Sequence, residues 1–319
     1  MKVVAVPTYG GPEVLQVVDV PAPHAGRGQV RVRVYAATVN PADVLLRMGD
    51  IDPIMTDIVP RPYRPGMEIA GVVDQIGEDA TTGLVIGDRV IAMVIPIEAS
   101  GGAYAEYVVL DATQVVRAPD RTTHEEAATL PMNGLTARAA LDAIAVPANS
   151  TILVTGPAGA VGGYVVQLAK SAGLMVIADA APADVELVRS LGVDVVMERG
   201  PDLGARVRAL YPDGVAAVVD TALLQEQIVA AVAPHGVIAL LRQSGERGTR
   251  PMEAFGVTIE NVFCPEYRDA RAVLEELTKL VEQDVLTLRV AGVVDAKDAP
   301  EAHRKMEAGG LRGRMVLKF

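Results

Sequence analysis

The chain has 319 residues, half of them hydrophobic, with three Phe and no Trp, so the length predicts two domains cored mainly by Val, Ala, Leu and Ile. A formal net charge of −11 argues against nucleic acid or an anionic membrane surface as a partner. One cysteine, Cys264, excludes an intramolecular disulfide and any multi-cysteine zinc lobe.

The opening residues hold no apolar stretch long enough for a signal peptide, and no later span reaches transmembrane length. A soluble cytoplasmic protein is expected. The first part reads as short strands at residues 2–6, 14–20 and 30–36, punctuated by Gly and Pro. Arg31 and Arg33 alternate with Val30, Val32 and Val34, the period of a half-exposed strand. Residues 42–48 form a short helix, since Pro41 suits its first turn and Gly49 its end. Further strands are expected at 68–76, 89–94, 103–110 and 113–117. Short strands without a long helix predict a compact, barrel-like β domain.

From His124 the pattern changes. Residues 124–130 and 135–144 read as helical. Strands then fall at 151–155, 174–178, 193–197, 215–220, 236–241 and 257–263, with helices at 161–172, 183–190, 202–210 and 223–232 between most of them. Six strands in βα alternation predict a doubly wound parallel sheet of α/β class. A helix at 268–283, a strand at 288–294, a helix at 299–307 and a strand at 314–319 follow, the last returning to the N-terminal domain. The expected division is a β-rich domain of residues 1–124 with 267–319, and a nucleotide-binding domain of residues 125–266.

The most informative stretch runs from Thr151 to Gly163, TILVTGPAGAVGG. A β-branched run leads into glycines at 156, 159 and 162, and then into an amphipathic helix. Small residues let the backbone approach a pyrophosphate, and the helix N-terminus supplies unpaired N–H groups and the positive dipole end. The spacing is G-x-x-G-x-x-G rather than the usual G-x-G-x-x-G. A second strand closed by Asp179, at the distance of a ribose contact, supports a dinucleotide site.

Several further motifs occur in a fixed order. They are Val39-Asn40-Pro41-Ala42-Asp43, Pro65-Gly66-Met67-Glu68-Ile69-Ala70-Gly71, Gly102-Ala103-Tyr104-Ala105-Glu106-Tyr107, Leu130-Pro131-Met132-Asn133-Gly134, Ala302-His303-Arg304 and Gly313-Arg314-Met315-Val316-Leu317. With the glycine turn, they resemble the zinc-independent quinone oxidoreductases of the medium-chain dehydrogenase/reductase superfamily over essentially the whole chain. The resemblance implies a Rossmann domain beside a GroES-like catalytic domain. It further implies an active site in a cleft between the two, and reduction of a small conjugated carbonyl by NAD(P)H.

Zinc-dependent relatives place Cys where Asn40 stands and His where Met67 stands. A catalytic zinc takes three protein ligands, and only Glu68 remains. His24, His124, His235 and His303 do not pair at ligand spacing, so no zinc is expected. By resemblance, Asn40 lies near the nicotinamide, where its amide bonds substrate or cofactor, and Asp43 orients that amide. Asn-Pro is also a common turn initiator, and Asp43 an acid suited to a helix start. Tyr63 sits in the loop that resembles a substrate-side wall, where as a catalytic candidate it stacks on a flat substrate or donates a proton, or else packs within the loop. His303 is expected to be structural, far along the chain from any partner.

For the cofactor, resemblance assigns Gly156, Ala158, Gly159, Ala160, Val161 and Gly162 to the phosphates and Thr129 to the nicotinamide amide. Leu241, Phe263 and Arg314 are also carried over as contacts. The absence of Lys or Arg between Val176 and Val188, together with Asp179, favours NADH, because a carboxylate repels a 2′-phosphate. Arg199, at a position that contacts the ribose phosphate in relatives, favours NADPH; NADPH is the expected cofactor, with NADH not excluded.

Arg47, Arg61 and Arg64 are placed to meet the carrier arm of an enoyl thioester, or are solvated surface charges. Residues 50–64, rich in Pro and Ile, shape the pocket. Strand 257–263 resembles the one through which such proteins form homodimers. The alternatives to a quinone reductase are an enone or enoyl-thioester reductase, and a nucleotide-binding protein with little turnover.

Overall fold

The computed structural model describes residues 1–51, 61–98, 100–241, 257–267 and 271–319. Part of the pocket-shaping stretch and the first residues of the helix expected at 268–283 lie outside them. The chain divides into two compact units. One holds Met1–Met132, Tyr267–Asp284 and Leu288–Phe319; the other holds Asn133–Glu266 and Val285–Thr287.

The spine of the first unit is β3 (Gln29–Thr38), whose Val30, Val32 and Val34 are buried. Arg31, on its other face, is held by a two-point bond to Asp74, Nε–Oδ1 3.0 Å and Nη2–Oδ2 2.8 Å. Strand β3 pairs antiparallel with β4 (Glu68–Ile76), β6 (Tyr107–Asp111) and β15 (Arg314–Lys318). Strands β5 (Arg89–Met93) and β7 (Val115–Arg117) extend the sheet beyond β4, and β14 (Val290–Asp295) extends it beyond β15. A separate antiparallel pair joins β1 (Lys2–Ala5) to β2 (Gln16–Asp19). The last strand does return to the N-terminal part of the chain, through β3.

Helix α1 (Pro41–Met48) begins on proline and stops where Gly49 turns left-handed, φ 88°, its N–H closing onto the Leu45 and Leu46 carbonyls. The strand expected at 103–110 begins only at Tyr107. The Ala103 and Tyr104 N–H groups are drawn instead to the Gly66 and Pro65 carbonyls, at 2.8 and 2.9 Å. The helix expected at 124–130 is confined to α2 (His124–Ala127), because Pro131 opens the next helix, α3 (Pro131–Ile144).

In the second unit six parallel strands are ordered β10-β9-β8-β11-β12-β13. They are β8 (Thr151–Thr155), β9 (Met175–Ala180), β10 (Val195–Glu198), β11 (Val215–Asp220), β12 (Val232–Leu240) and β13 (Thr258–Asn261). This is the doubly wound order whose direction reverses between β8 and β11, where ligands of such sheets bind. Helices α4 (Ala160–Ser171), α5 (Val185–Ser190) and α6 (Leu203–Leu210) connect its strands. The helix expected at 223–232 is a 3-10 segment, Gln225–Ala231, since Leu223 and Gln225 take left-handed φ of 59° and 46°. The first unit also carries α7 (Arg271–Glu282), with Leu274, Leu277 and Val281 buried, and α8 (Ala299–Ala308).

Candidate functional site

Two constellations bring the candidate residues together, one in each unit. In the first, β3 ends on Thr38, Asn40 precedes α1, and β4 opens with Glu68. The Asn40 side-chain amide donates from Nδ2 to Thr38 Oγ1 at 3.0 Å and to Glu68 Oε1 at 3.1 Å, while its buried Oδ1 has no partner among the described residues. The Thr38 hydroxyl donates a short hydrogen bond to Glu68 Oε1, and the Met132 N–H donates to Oε2 at 2.7 Å. Burial raises the pKa of the Glu68 carboxyl, opposed by these donors and by the nearby Arg314 charge.

Asp43, fully buried, joins two backbone segments. Its Oδ2 accepts from the Asn40 N–H at 2.8 Å and its Oδ1 from the Gly66 N–H at 2.7 Å. Burial pushes its pKa up to about 7 against the pull of those bonds. Asp43 therefore orients the Asn40 backbone; the side-chain amide is oriented by Thr38 and Glu68. The Tyr104 hydroxyl lies 3.3 Å from Asp43 Oδ2 and 3.2 Å from His303 Nε2. His303 thus has a buried partner distant in sequence, contrary to the expectation. Burial and the Arg47 charge lower its pKa to about 3, so the imidazole is neutral.

Packing decides two expectations about this unit. Tyr63 is 1% exposed and stacks against Tyr9, ring centroids 5.9 Å apart, with the Arg61 guanidinium 4.8 Å from its own centroid. That is the packed-tyrosine alternative, with no ring face open for a substrate. Arg47 and Arg64 are not simple solvated charges, whereas Arg61 is exposed. Arg47 is wholly buried and paired with Glu307 at 2.6 Å. Arg61 sits against Tyr9 and Tyr63, and Arg64 Nε donates to the Gly102 carbonyl at 2.6 Å, its pKa lowered to about 10 by burial. Thr129, buried, donates its hydroxyl to the Glu126 carbonyl at 2.8 Å, and Arg314 opens β15 with its charge acting on Glu68.

The second constellation surrounds the turn between β8 and α4. Gly156 has φ 61°, and its N–H donates to Asp179 Oδ1 at 2.7 Å. A Cβ on Gly162 would lie 2.3 Å from the Gly156 carbonyl oxygen, so only glycine lets the helix close on the turn. Gly159 precedes α4 with no side-chain cap, which leaves Ala160, Val161 and Gly162 at an open helix N-terminus beside Ala158. Asp179 lies within β9 instead of closing it, 1% exposed, and its Oδ2 takes Arg199 Nε at 2.7 Å. Leu241 follows β12, and Phe263, 59% exposed, follows β13.

Sequence reasoning missed the buried acid at the end of β11. Asp220 accepts from Thr155 Oγ1 at 2.7 Å and from the Leu224 and Gln225 N–H groups at 3.0 and 2.8 Å, fixing the chain beside the glycine turn. It also gave no role to Thr38, Tyr104 or Glu307. The available signal was polar residues inside otherwise apolar strands, which are buried only when paired.

A zinc ion does not fit the first constellation. Its donors there would be an amide and a carboxylate whose oxygens already hold Thr38, Asn40 and Met132. A dinucleotide does fit the second, where glycines clear the turn and helix N–H groups are uncapped.

Residues 26–120 match the alcohol dehydrogenase GroES-like domain and residues 173–317 the zinc-binding dehydrogenase domain. The chain is 34% identical to the chloroplastic quinone-oxidoreductase QR1 of Triphysaria versicolor over 66% of its length, spanning 64% of that relative. It is also 34% identical to a trans-enoyl reductase of Aspergillus terreus, over 66% of this chain and 72% of the relative. Among solved structures it resembles an NAD-dependent alcohol dehydrogenase, with TM-score 0.87, 31% identity and full coverage of both chains. A mycobacterial protein complexed with NADPH gives TM-score 0.86 and 29% identity, again over the whole of both chains. A doubly wound sheet, a β-rich companion unit and these likenesses together place the chain in the medium-chain dehydrogenase/reductase superfamily.

Proposed function

We propose that the protein is an NADPH-dependent reductase that transfers hydride to a quinone or similar conjugated carbonyl without zinc. The observation that carries this reading is the bonding of Asp179. Both its oxygens are engaged, one by the Gly156 N–H and the other by Arg199, so the carboxylate does not stand free to repel a 2′-phosphate. Arg199 is bound through Nε alone among the described residues and is 46% exposed, which leaves two nitrogens for an anion. Membership of the family, and relatives named quinone oxidoreductase and trans-enoyl reductase, support the same reading.

Gly156, Ala158, Gly159, Ala160, Val161 and Gly162 would hold the pyrophosphate, Arg199 the ribose phosphate, and Thr129, Leu241, Phe263 and Arg314 further parts of the cofactor. When bound, the dihydronicotinamide supplies hydride, and the protein's part is position and exclusion of water. Asn40 presents an acceptor, its Oδ1, because Thr38 and Glu68 hold its nitrogen. Asp43 keeps the Asn40 backbone in register with the Gly66 loop. The internal contacts of Arg47 and Arg64 argue against their holding a carrier arm, which favours a free quinone over an enoyl thioester.

The first unit is then the catalytic domain and the second the nucleotide domain. A homodimer is proposed through β13, which stands at the edge of its sheet near the exposed Phe263. No helix among the described residues is long and apolar enough to cross a membrane; a cytoplasmic location is proposed.

The test is oxidation of NADPH and NADH against quinones, enones and enoyl thioesters. NADPH turnover with quinones is expected, with Arg199→Ala raising the NADPH KM about tenfold or more while the NADH KM barely moves. A wild-type preference for NADH would overturn the cofactor assignment. Cofactor binding without turnover on any acceptor would favour a nucleotide-binding protein.

A further inference from the structure

We propose that His303 and Tyr104 are positioning residues for Asn40, acting through Asp43 in a buried hydrogen-bonded chain whose direction follows the charge on Asp43. The proposal rests on the reductase reading in that Asn40 belongs to the site.

Its geometry is complete within the first unit. Asp43 Oδ2 accepts from the Asn40 N–H and lies 3.3 Å from the Tyr104 hydroxyl, which is 3.2 Å from His303 Nε2. All four residues are at most 1% exposed. The same carboxylate takes the Gly66 N–H through Oδ1, and Gly66 lies two residues before Glu68, which orients the Asn40 amide. Movement of Asp43 would therefore disturb both the backbone and the amide contacts of Asn40.

Hydrogen-bond valence fixes the chain's direction. With Asp43 ionised, its oxygens only accept, so Tyr104 donates its O–H to Asp43 and His303 donates Nε2–H to the Tyr104 oxygen. His303 Nδ1 then carries a lone pair, and it is buried without a partner. With Asp43 protonated, its O–H donates to the Tyr104 oxygen, the Tyr104 O–H donates to His303 Nε2, and Nδ1 carries the imidazole hydrogen. The change adds one proton in all. It enters at Nδ1, the Nε2 hydrogen passes to the Tyr104 oxygen, and the phenolic hydrogen passes to Asp43. The imidazole changes tautomer and stays neutral.

The charged groups around the chain are few. Glu68 on β4 raises the pKa of Asp43, and Arg314 on β15 acts on Glu68. Arg47 on α1 acts on Tyr104 and His303, and its Nη2 is paired with Glu307 on α8. Arg47 Nε and Nη1 are buried without hydrogen-bond partners among the described residues. The Arg47 charge disfavours a second proton on the ring, which keeps His303 from charging in place of Asp43. A protonated Asp43 is a poorer acceptor for the Asn40 N–H, so Asn40 is held less firmly below about pH 7.

The experiment compares the wild type with Tyr104→Phe, His303→Leu and His303→Gln, whose amide nitrogen can replace Nε2–H as a donor. Nitrogen-15 NMR of the His303 ring is expected to report Nε2–H above pH 7 and Nδ1–H below it. The acid limb of kcat should lie near pH 7 in the wild type. It should move up by about one unit in Tyr104→Phe, which removes a bond favouring the carboxylate. Tyr104→Phe and His303→Leu should each lower kcat about tenfold or more, with the Kd for NADPH unchanged, and His303→Gln should restore both kcat and the limb.

A ring that stays Nδ1–H across the range, or variants that lower only the Tm and leave kcat and its limb at wild-type values, would overturn the proposal. A wild type with no turnover would sink the reductase reading instead, and the tautomer measurement would then decide the chain's direction alone.

Discussion

Glu68 shows how a single buried carboxylate organises its surroundings. Its two oxygens take at least three donors among the described residues, the Thr38 hydroxyl, the Asn40 amide nitrogen and the Met132 N–H. The ionised form satisfies all three, because every lone pair accepts. A glutamine has one acceptor oxygen, so one amide orientation strands the Met132 N–H and the other sets N–H groups against Thr38 and Asn40. A stranded buried donor costs about 1–3 kcal/mol. Glu68→Gln is therefore expected to lower unfolding free energy by about that much near pH 8, measured by urea denaturation. A variant as stable as the wild type would mean that Glu68 is already protonated and that the Asn40 amide is free to turn over.

At the scale of elements, the glycine turn ties the proposed cofactor site to the geometry of the sheet. Gly162 sits in the first turn of α4, where an added Cβ would meet the Gly156 carbonyl oxygen at 2.3 Å and Thr221 Oγ1 at 2.8 Å. Both belong to the network that joins β8 to β11 through Thr155 and Asp220. Gly162→Ala should push α4 away from the turn and weaken NADPH binding about tenfold or more, read by titration of cofactor fluorescence. Unchanged affinity would show that the turn does not hold the pyrophosphate. This unit was legible in the sequence because its signals are local: a β-branched run, glycines, then a helical period. The 3-10 segment Gln225–Ala231 was not, since its left-handed residues, Leu223 and Gln225, are not glycines. Nor was the partner of His303, because 199 residues separate it from Tyr104 and no periodicity reaches across such a gap. Tyr63 and Arg47 illustrate the same limit: sequence marks a residue as able to act, while packing decides what its side chain faces.

The buried chain in the first unit also leaves a signature in the stability of the whole molecule. Asp43 has a folded pKa of about 7 against an ordinary value of 3.8. The native state therefore binds its proton more tightly, and the stability this contributes is lost as pH rises from about 4 to 7. His303 runs the other way, with a folded pKa of about 3 against 6.5. Below pH 6.5 the unfolded chain takes a proton that the native state refuses, so stability is lost as pH falls from 6.5 towards 3. Between about pH 4 and 6.5 the native pair is an acid and a neutral imidazole, the unfolded pair a carboxylate and an imidazolium, and the proton counts are equal. The two slopes cancel in the wild type, leaving contributions from groups such as Glu68 that the variants share. Removing one member exposes the other, at about 1.4 kcal/mol for each pH unit. His303→Gln should lose stability relative to wild type as pH rises through that window. Asp43→Asn should gain it over the same range. Urea denaturation at intervals from pH 4 to 7 reads both slopes, and variant curves running parallel to the wild type would show that Asp43 and His303 do not hold opposite protonation states in the fold.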